Sequence, residues 1–147
     1  MTNSSGKENR LTDILEGYWN QIKGGEEFPS EIDVNPSDIA EIWDNCFLIK
    51  SDELEGEGFK YTFLGQGLIN AYGDDISQDE VSVLIQPNKE RFIEKVEETI
   101  KTKKPVIDES EFVNAHSVLI KYRKIYLPLG EDDHVTHVIG GMRWKGY

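Results

Sequence analysis

Cysteine is nearly absent from this sequence, which has only Cys46 among 147 residues. One cysteine cannot form an internal disulfide, so nothing in the sequence indicates an oxidising compartment. Long apolar runs are missing too, because no segment approaches the ~20 consecutive apolar residues that span a bilayer. Residues 1–8 contain no apolar stretch of the signal-peptide kind. These absences predict a soluble, cytoplasmic protein with no membrane partner, in which residues 1–8 form a disordered leader.

Positive charge is scarce as well. The chain carries 16 basic and 28 acidic side chains, a formal net charge of −12 at pH 7. Proteins that bind nucleic acids neutralise phosphates with a basic face, and a surface this acidic would repel them. The basic run at 101–104 lies at the end of a predicted helix, where cations interact favourably with the helix dipole. The sequence therefore predicts no nucleic-acid partner.

Motifs for common catalytic and metal-binding chemistry are also missing. The sequence contains no P-loop, no Gly-x-Gly-x-x-Gly and no Cys-x-x-Cys. Its acidic clusters at 52–57, 74–75 and 131–133 lack the ligand spacing, central glycine and terminal glutamate of an EF-hand loop. They fall in predicted turns, where solvated charge is expected. We therefore predict no metal site and no catalytic residue, and the chain is not expected to be an enzyme.

An amphipathic helix is predicted near the N-terminus. Its apolar side chains recur at helical spacing and share one face: Leu11, Ile14, Leu15, Tyr18, Trp19 and Ile22. Aromatic side chains of this kind dominate protein interfaces. The face is therefore predicted to be buried, either on this chain's own sheet or against a second copy in a homodimer. We assign residues 9–34 to this helix and a linker, and residues 35–147 to the main domain.

The main domain is predicted to be of the α+β class. Strands are predicted near 46–49, 59–64, 106–114, 117–129 and 135–144. Helices are predicted to begin near 35, 65 and 88, the last of them ending before Pro105. Strands at both ends with helices between them predict one five-stranded antiparallel sheet with helices on one face, plus the N-terminal amphipathic helix.

A series of short motifs follows the same order as these elements. They are Tyr18-Trp19, Gly24-Gly25, Pro29, Ile32-Asp33, Pro36, Asp38-Ile39, Phe59, Tyr61, Phe63, Gly65, Tyr72-Gly73, Leu127-Pro128-Leu129 and Ile139-Gly140. In these residues the sequence resembles the short, stand-alone PAS-like proteins of alphaproteobacteria, from about Leu11 to Trp144. The resemblance implies a PAS fold and a sensory or regulatory module that binds a small ligand or a protein partner, although a fold alone names neither.

A ligand pocket is expected between the inner face of the sheet and the middle helices. The candidate lining residues are Tyr61, Phe63, Tyr72, Phe92, His116, Tyr126 and His137. Large aromatic side chains in a small domain either line such a pocket or fill it. A filled interior would indicate a protein-interaction domain instead of a chemical sensor.

Cys46 and the histidines are the candidates for holding a cofactor. The segment around Cys46 is superficially similar to that of the flavin-binding photosensory PAS proteins, whose reactive cysteine lies on a helix after the first hairpin. Here the cysteine precedes or opens the first strand, and the flanking arginine and glutamine are missing. We interpret Cys46 as a small core residue. His116 or His137 could ligate haem only with supporting hydrogen-bond partners, and we interpret both as ordinary hydrogen-bonded histidines. No haem or flavin is expected, and the cofactor is unknown.

Three functional hypotheses follow. The first is a non-catalytic PAS-type sensory or regulatory domain that binds a small ligand, a protein partner or both, and acts through a separate signalling protein. The second is a constitutive dimerisation or interaction scaffold with a filled core. The third is a small enzyme on a cone-shaped α+β fold, which would need a buried acid paired with His116 or His137 in an open cleft. We favour the first.

Overall fold

The computed structural model describes residues 10–50, 60–73 and 88–147. The predicted leader at 1–8, the acidic loop at 52–58 and the segment at 74–86 fall outside the described residues. No helix within the described ranges is long and apolar enough to cross a membrane.

The described residues form three α-helices and five strands. The helices are α1 (Arg10–Lys23), α2 (Gln66–Tyr72) and α3 (Lys89–Thr102). The strands are β1 (Cys46–Lys50), β2 (Lys60–Leu64), β3 (Val106–Val113), β4 (Leu119–Glu131) and β5 (His134–Gly146). Short 3₁₀ helices lie at Glu31–Asp33, Pro36–Ile39 and Trp43–Asn45.

All five strands belong to one antiparallel sheet with the order β2-β1-β5-β4-β3. The predicted α+β architecture is confirmed. The strands β4 and β5 are joined at Asp132 and Asp133, whose φ angles of 53° and 66° suit the type I′ turn of a tight hairpin. The strand β1 pairs with β5, so the first strand lies next to the last one, which is the central strand of the sheet.

The sheet separates two hydrophobic layers. Its inner face packs against α2 and α3, and its outer face packs against α1 and the 3₁₀ segments. The inner layer is rich in aromatic rings, including Phe47, Tyr61, Tyr72, Phe92 and Tyr126. The outer layer is more aliphatic and includes Leu15, Ile125, Leu127, Leu129 and Ile139. Covering both faces lets the sheet bury apolar side chains at successive positions of β4.

The helix α1 lies on this chain's own sheet. Leu15 and Trp19 are buried there, and the Trp19 indole donates a hydrogen bond to the carbonyl of Pro128 over 2.8 Å. The other predicted interface residues are half-buried: Leu11, Ile14, Tyr18 and Ile22. Gly141 of β5 allows the close approach, because a Cβ at that position would lie 2.9 Å from Leu11 Cδ2.

The segment after Asn35 differs from the single short helix that the sequence predicts. Asn35 is the N-cap as expected, since its side chain accepts a hydrogen bond from the amide of Ser37 over 3.2 Å. The chain then forms two 3₁₀ turns instead of an α-helix. Ile39 and Ile42, both buried, are three residues apart, and side chains with that spacing align in 3₁₀ geometry.

Candidate functional site

A charged side chain is buried in the inner layer, at Lys124 in the middle of β4. Alternation along the strand directs Tyr122, Lys124 and Tyr126 to the inner face, whereas Ile125 and Leu127 belong to the outer layer. Lys124 is only 3% exposed. A lysine is almost never fully buried unless it is paired, so this position calls for an explanation.

The ammonium group of Lys124 is surrounded by four aromatic rings. Its Nζ lies 4.9 Å from the centroid of Phe92, 5.3 Å from Tyr122, 5.7 Å from Tyr126 and 5.9 Å from Phe47. Ring faces at these distances attract a cation. Burial nevertheless lowers the pKa of Lys124 to about 7, because the carboxylate of Asp108 opposes this effect only in part. The amine is therefore poised to titrate near neutral pH.

Beside Lys124, a buried carboxylate is held by three donors. Asp108 on β3 accepts hydrogen bonds from Nε of Arg91 at 3.0 Å, from a terminal nitrogen of Arg91 at 2.5 Å, and from the Tyr122 hydroxyl at 2.9 Å. Burial alone would raise the pKa of Asp108, but these hydrogen bonds outweigh it and the pKa is lowered. The same arrangement raises the pKa of Tyr122 to about 12, through burial first and the neighbouring carboxylate second. Asp108 thus remains ionised and already has its partners.

Two tyrosine hydroxyls in this layer are buried without a well-formed hydrogen bond to any described residue. They belong to Tyr72 and Tyr126. The Tyr72 hydroxyl is adjacent to that of Tyr61, and burial raises the pKa of all three tyrosines. Buried polar groups in native proteins usually have a partner, so the Tyr126 hydroxyl, on a ring centred 5.7 Å from Nζ of Lys124, has unused hydrogen-bonding capacity.

A small cavity lies among these groups, under the Arg91–Asp108 ion pair. Its lining residues are Asn88, Arg91, Phe92, Asp108, Phe112, Tyr122, Lys124 and Tyr126, which we call the interior site. Its volume of about 10 Å³ is room for roughly one water molecule. The Arg91 side chain is 38% exposed and that of Asp108 is 2% exposed, so within the ion pair Arg91 faces solvent and Asp108 is buried.

Comparison with known proteins identifies the fold family. A model of the PAS domain family matches residues 7–143. The chain belongs to the PAS domain family. No protein with a curated description matches it significantly.

Several solved structures share the PAS fold of this chain at low sequence identity. One is a light-oxygen-voltage domain from work on a flavin analogue, with 13% identity, a TM-score of 0.54, and coverage of 74% of this chain and 80% of that one. The dark structure of the blue-light photoreceptor Aureochrome1 LOV has 12% identity, a TM-score of 0.53, and coverage of 72% and 78%. A PAS domain from Colwellia psychrerythraea has 14% identity, a TM-score of 0.49, and coverage of 73% and 93%. At these identities the first two show the fold alone.

The PAS fold brings together four of the seven predicted pocket residues. Tyr61, Tyr72, Phe92 and Tyr126 all lie in the inner layer. Their rings pack on one another, with Phe92 centred 5.9 Å from Tyr61 and 5.7 Å from Tyr126. The aromatic residues therefore fill most of the described interior and line only the small cavity.

Phe63 was expected in the pocket but lies on the outer face. Pairing runs from Leu48 with Phe63 directly to Ile49 with Tyr61, so Thr62 is an extra residue in β2. Such a β-bulge breaks the two-residue alternation and turns Tyr61 and Phe63 to opposite faces. Phe63 stacks instead on Trp43, at 4.5 Å between ring centroids.

The two histidines also lie away from the interior site. His116 is exposed in the turn between β3 and β4. His137 is half-buried on β5, two residues from both Val135 and Ile139 of the outer layer, so alternation directs it to the outer face. Its Nδ1 lies 2.8 Å from the hydroxyl of Thr136. Neither histidine faces the aromatic interior in which a pocket ligand was expected.

Cys46 lies on the opposite side of the sheet from the interior site. It is fully buried in the outer layer, and its thiol is 3.4 Å from the carbonyl of Ile42. Burial raises the pKa of Cys46 to about 12, so the thiol is unreactive at neutral pH. Cys46 is therefore a buried residue of the outer layer and does not line the interior site. In the described part of the chain, no group of three or more His, Cys, Asp or Glu residues is placed to hold a metal ion.

Sequence reasoning missed the charged part of the interior site. The sequence of β4 does contain an indication of it. Tyr122, Lys124 and Tyr126 occupy alternate positions, so a strand that directs the two tyrosines inward also directs Lys124 inward. The ion pair between Arg91 and Asp108 joins residues 17 positions apart on different elements, and no local pattern predicts it.

Proposed function

We propose that this PAS domain is a sensory module whose interior site binds a small molecule, and that Lys124 is the main anchor for it. The observation that carries the proposal is the buried ammonium group. Within the described ranges its Nζ has neither a hydrogen bond nor an ion pair. Four aromatic rings surround it, and the Asp108 carboxylate, already bonded to Arg91 and Tyr122, attracts it without forming an ion pair. Leaving a buried charge without a partner is costly, so a ligand that pairs with it would bind with a matching gain.

A ligand in this site would contact the elements that are able to transmit a signal. Phe92 lies on α3, and Lys124 and Tyr126 lie on β4. The helix α1 packs on the other face of β4, where the Trp19 indole donates a hydrogen bond to the Pro128 carbonyl. The cavity holds about one water, so a larger ligand has to displace Phe92 or its neighbours. Binding would therefore alter the packing of α3 on the sheet, and we expect the signal to pass to a separate protein.

The finer predictions from the sequence complete this proposal. We expect the domain to act in the cytoplasm, without catalysis, as one of the stand-alone PAS-like proteins of alphaproteobacteria. The half-buried residues of α1, Ile14 and Tyr18 among them, are available to a homodimer contact even though Leu15 and Trp19 are buried within the chain. A homodimer would place two copies of α1 together.

The tight packing of the interior favours a second candidate function. If the inner layer admits no ligand, the domain is a constitutive interaction or dimerisation scaffold with a filled core. The small volume of the cavity and the ring contacts among Tyr61, Phe92 and Tyr126 support this alternative.

Native mass spectrometry with an absorption spectrum of the same purified sample separates the two candidates. We expect a bound small molecule on the wild-type protein that is lost from Lys124→Met and retained by Lys121→Met. Lys121 is a suitable control because it lies three residues away on the same strand and is exposed. The absence of any bound mass would support the scaffold. Retention of the bound mass by Lys124→Met would refute Lys124 as the anchor. Visible absorbance would show a chromophore such as flavin, and the intact mass gives the oligomeric state.

A further inference from the structure

The charges of the interior site do not cancel. Arg91 and Lys124 contribute two cations and Asp108 contributes one anion, which leaves one positive charge in excess when Lys124 is protonated. Asp108 is engaged by Arg91 and by the Tyr122 hydroxyl, so its capacity to accept further hydrogen bonds is largely used. The excess charge therefore lies on Lys124.

The free hydrogen-bonding groups at the site can all donate. An ammonium group has three donors and no acceptor. The hydroxyl of Tyr126, whose ring is centred 5.7 Å from Nζ of Lys124, can donate or accept and has no partner among the described residues. A ligand that pairs with the ammonium group must present an acceptor, which can also accept from the Tyr126 hydroxyl, and an anionic acceptor offsets the excess charge. A cationic ligand would be repelled by Lys124 and Arg91.

The residues that line the site limit the polarity of the remaining part of the ligand. Phe92, Phe112 and the rings of Tyr122 and Tyr126 offer apolar surface and few further polar atoms. A dianion such as a dicarboxylate or a phosphate ester would carry more charge than the single excess cation neutralises. A single carboxylate on a small hydrocarbon group neutralises the one excess positive charge and has an apolar part that suits the apolar lining.

We propose that the interior site selects a small monocarboxylate, whose carboxylate pairs with Lys124 and accepts a hydrogen bond from Tyr126 while its carbon chain contacts Phe92. This inference rests on the proposed function and adds the chemical class of the ligand. Because the cavity is so small, formate and acetate should fit with the least displacement of side chains, and longer chains should require Phe92 to move.

The test is a titration of the full-length chain with sodium formate, acetate, propionate and benzoate at pH 6.5 and constant ionic strength, measured by thermal shift and isothermal calorimetry. Sodium chloride and the neutral analogue acetamide are the controls. We expect saturable stabilisation by formate or acetate, weaker effects from propionate and benzoate, and none from acetamide. Lys124→Met should weaken binding by at least about tenfold, and Lys121→Met should leave it unchanged.

Tyr126→Phe provides a second variant that retains the fold, because it removes only the hydroxyl. It should weaken acetate binding several-fold, as expected for the loss of one hydrogen bond to a charged acceptor. Equal effects of acetate, acetamide and chloride would overturn the inference, and so would equal affinity of wild type and Lys124→Met.

The two proposals fail in different ways. A neutral or polyanionic molecule that co-purifies with the wild type and is lost from Lys124→Met would leave the proposed function standing and refute the monocarboxylate. A protein that carries no bound mass and does not respond to any of the four acids would refute both.

Discussion

Replacing Lys124 with methionine should stabilise the fold at neutral pH. Burial lowers the pKa of Lys124 from 10.5 to about 7. At about 1.4 kcal/mol per pH unit, this difference corresponds to a destabilisation on the order of 5 kcal/mol when the amine is held protonated. Methionine has a similar length and no charge to desolvate. Allowing for the lost contacts between the ammonium group and the rings, we expect Lys124→Met to be more stable by about 1–4 kcal/mol at pH 7.

The sign of the pH dependence follows from the same pKa. In the unfolded chain Lys124 keeps a pKa near 10.5, so between about pH 7 and pH 10 the unfolded state binds more protons than the folded state. The free energy of unfolding of the wild type should therefore gain up to about 1.4 kcal/mol per pH unit from this residue as the pH rises through that window. The charged groups nearest to Lys124 are Asp108 and Arg91, which remain ionised throughout.

Other buried groups titrate at higher pH and act in the opposite direction. Burial raises the pKa of Cys46 and of the buried tyrosines, so their contributions fall as the pH rises above about 9. Wild type and Lys124→Met both contain these groups. The difference between their free energies of unfolding at each pH therefore reports the contribution of Lys124.

Urea denaturation at pH 7, 8 and 9, followed by tryptophan fluorescence, measures this difference. The stability gap between Lys124→Met and wild type should be widest at pH 7 and should narrow as the pH rises. The exposed control Lys121→Met should run parallel to the wild type. A mutant that is less stable than wild type by more than about 1 kcal/mol, or two parallel pH profiles, would refute the argument that uncompensated burial sets the pKa of Lys124.

Two further substitutions test packing elsewhere in the fold. Trp19→Phe removes the donor to the Pro128 carbonyl and should destabilise the fold by about 1 kcal/mol in urea denaturation; no loss would show that the hydrogen bond does not hold α1 in place. Gly65→Ala should destabilise by about 1–3 kcal/mol or prevent folding, because a Cβ there would overlap the backbone carbonyl of Asp44. The matched control Gly17→Ala has no atom within 4 Å of the added Cβ and lies in α1, so it should stabilise by about 0.5–1 kcal/mol. Equal effects of the two alanines would contradict the close approach at Gly65.

Much of the fold could be predicted because its signals are local. The amphipathic helix appears at Arg10–Lys23 because its apolar spacing matches the helical period, and α3 ends before Pro105 because proline cannot continue the helix. The turn glycine Gly73 has a φ of 81°, as its place at the end of α2 requires. Each of these features depends on a few neighbouring residues.

The candidate site was predicted less completely because it depends on contacts between distant elements. The alternation of aromatic residues correctly placed Tyr61 and Tyr126 in the interior. Phe63 lies on the outer face instead, because β2 contains one extra residue between Tyr61 and Phe63. The buried lysine was not identified, since a charged residue in an alternating strand normally faces solvent.

The sequence by itself determined the α+β class, the order of the elements and the amphipathic helix, since helical and strand periods and turn residues are properties of short segments. Only the tertiary structure decided that Lys124 is enclosed by rings from β1, α3 and β4, and that Arg91 reaches Asp108 from another element. Strand register and helix docking determine which side chains meet, and both depend on the packing of the whole chain.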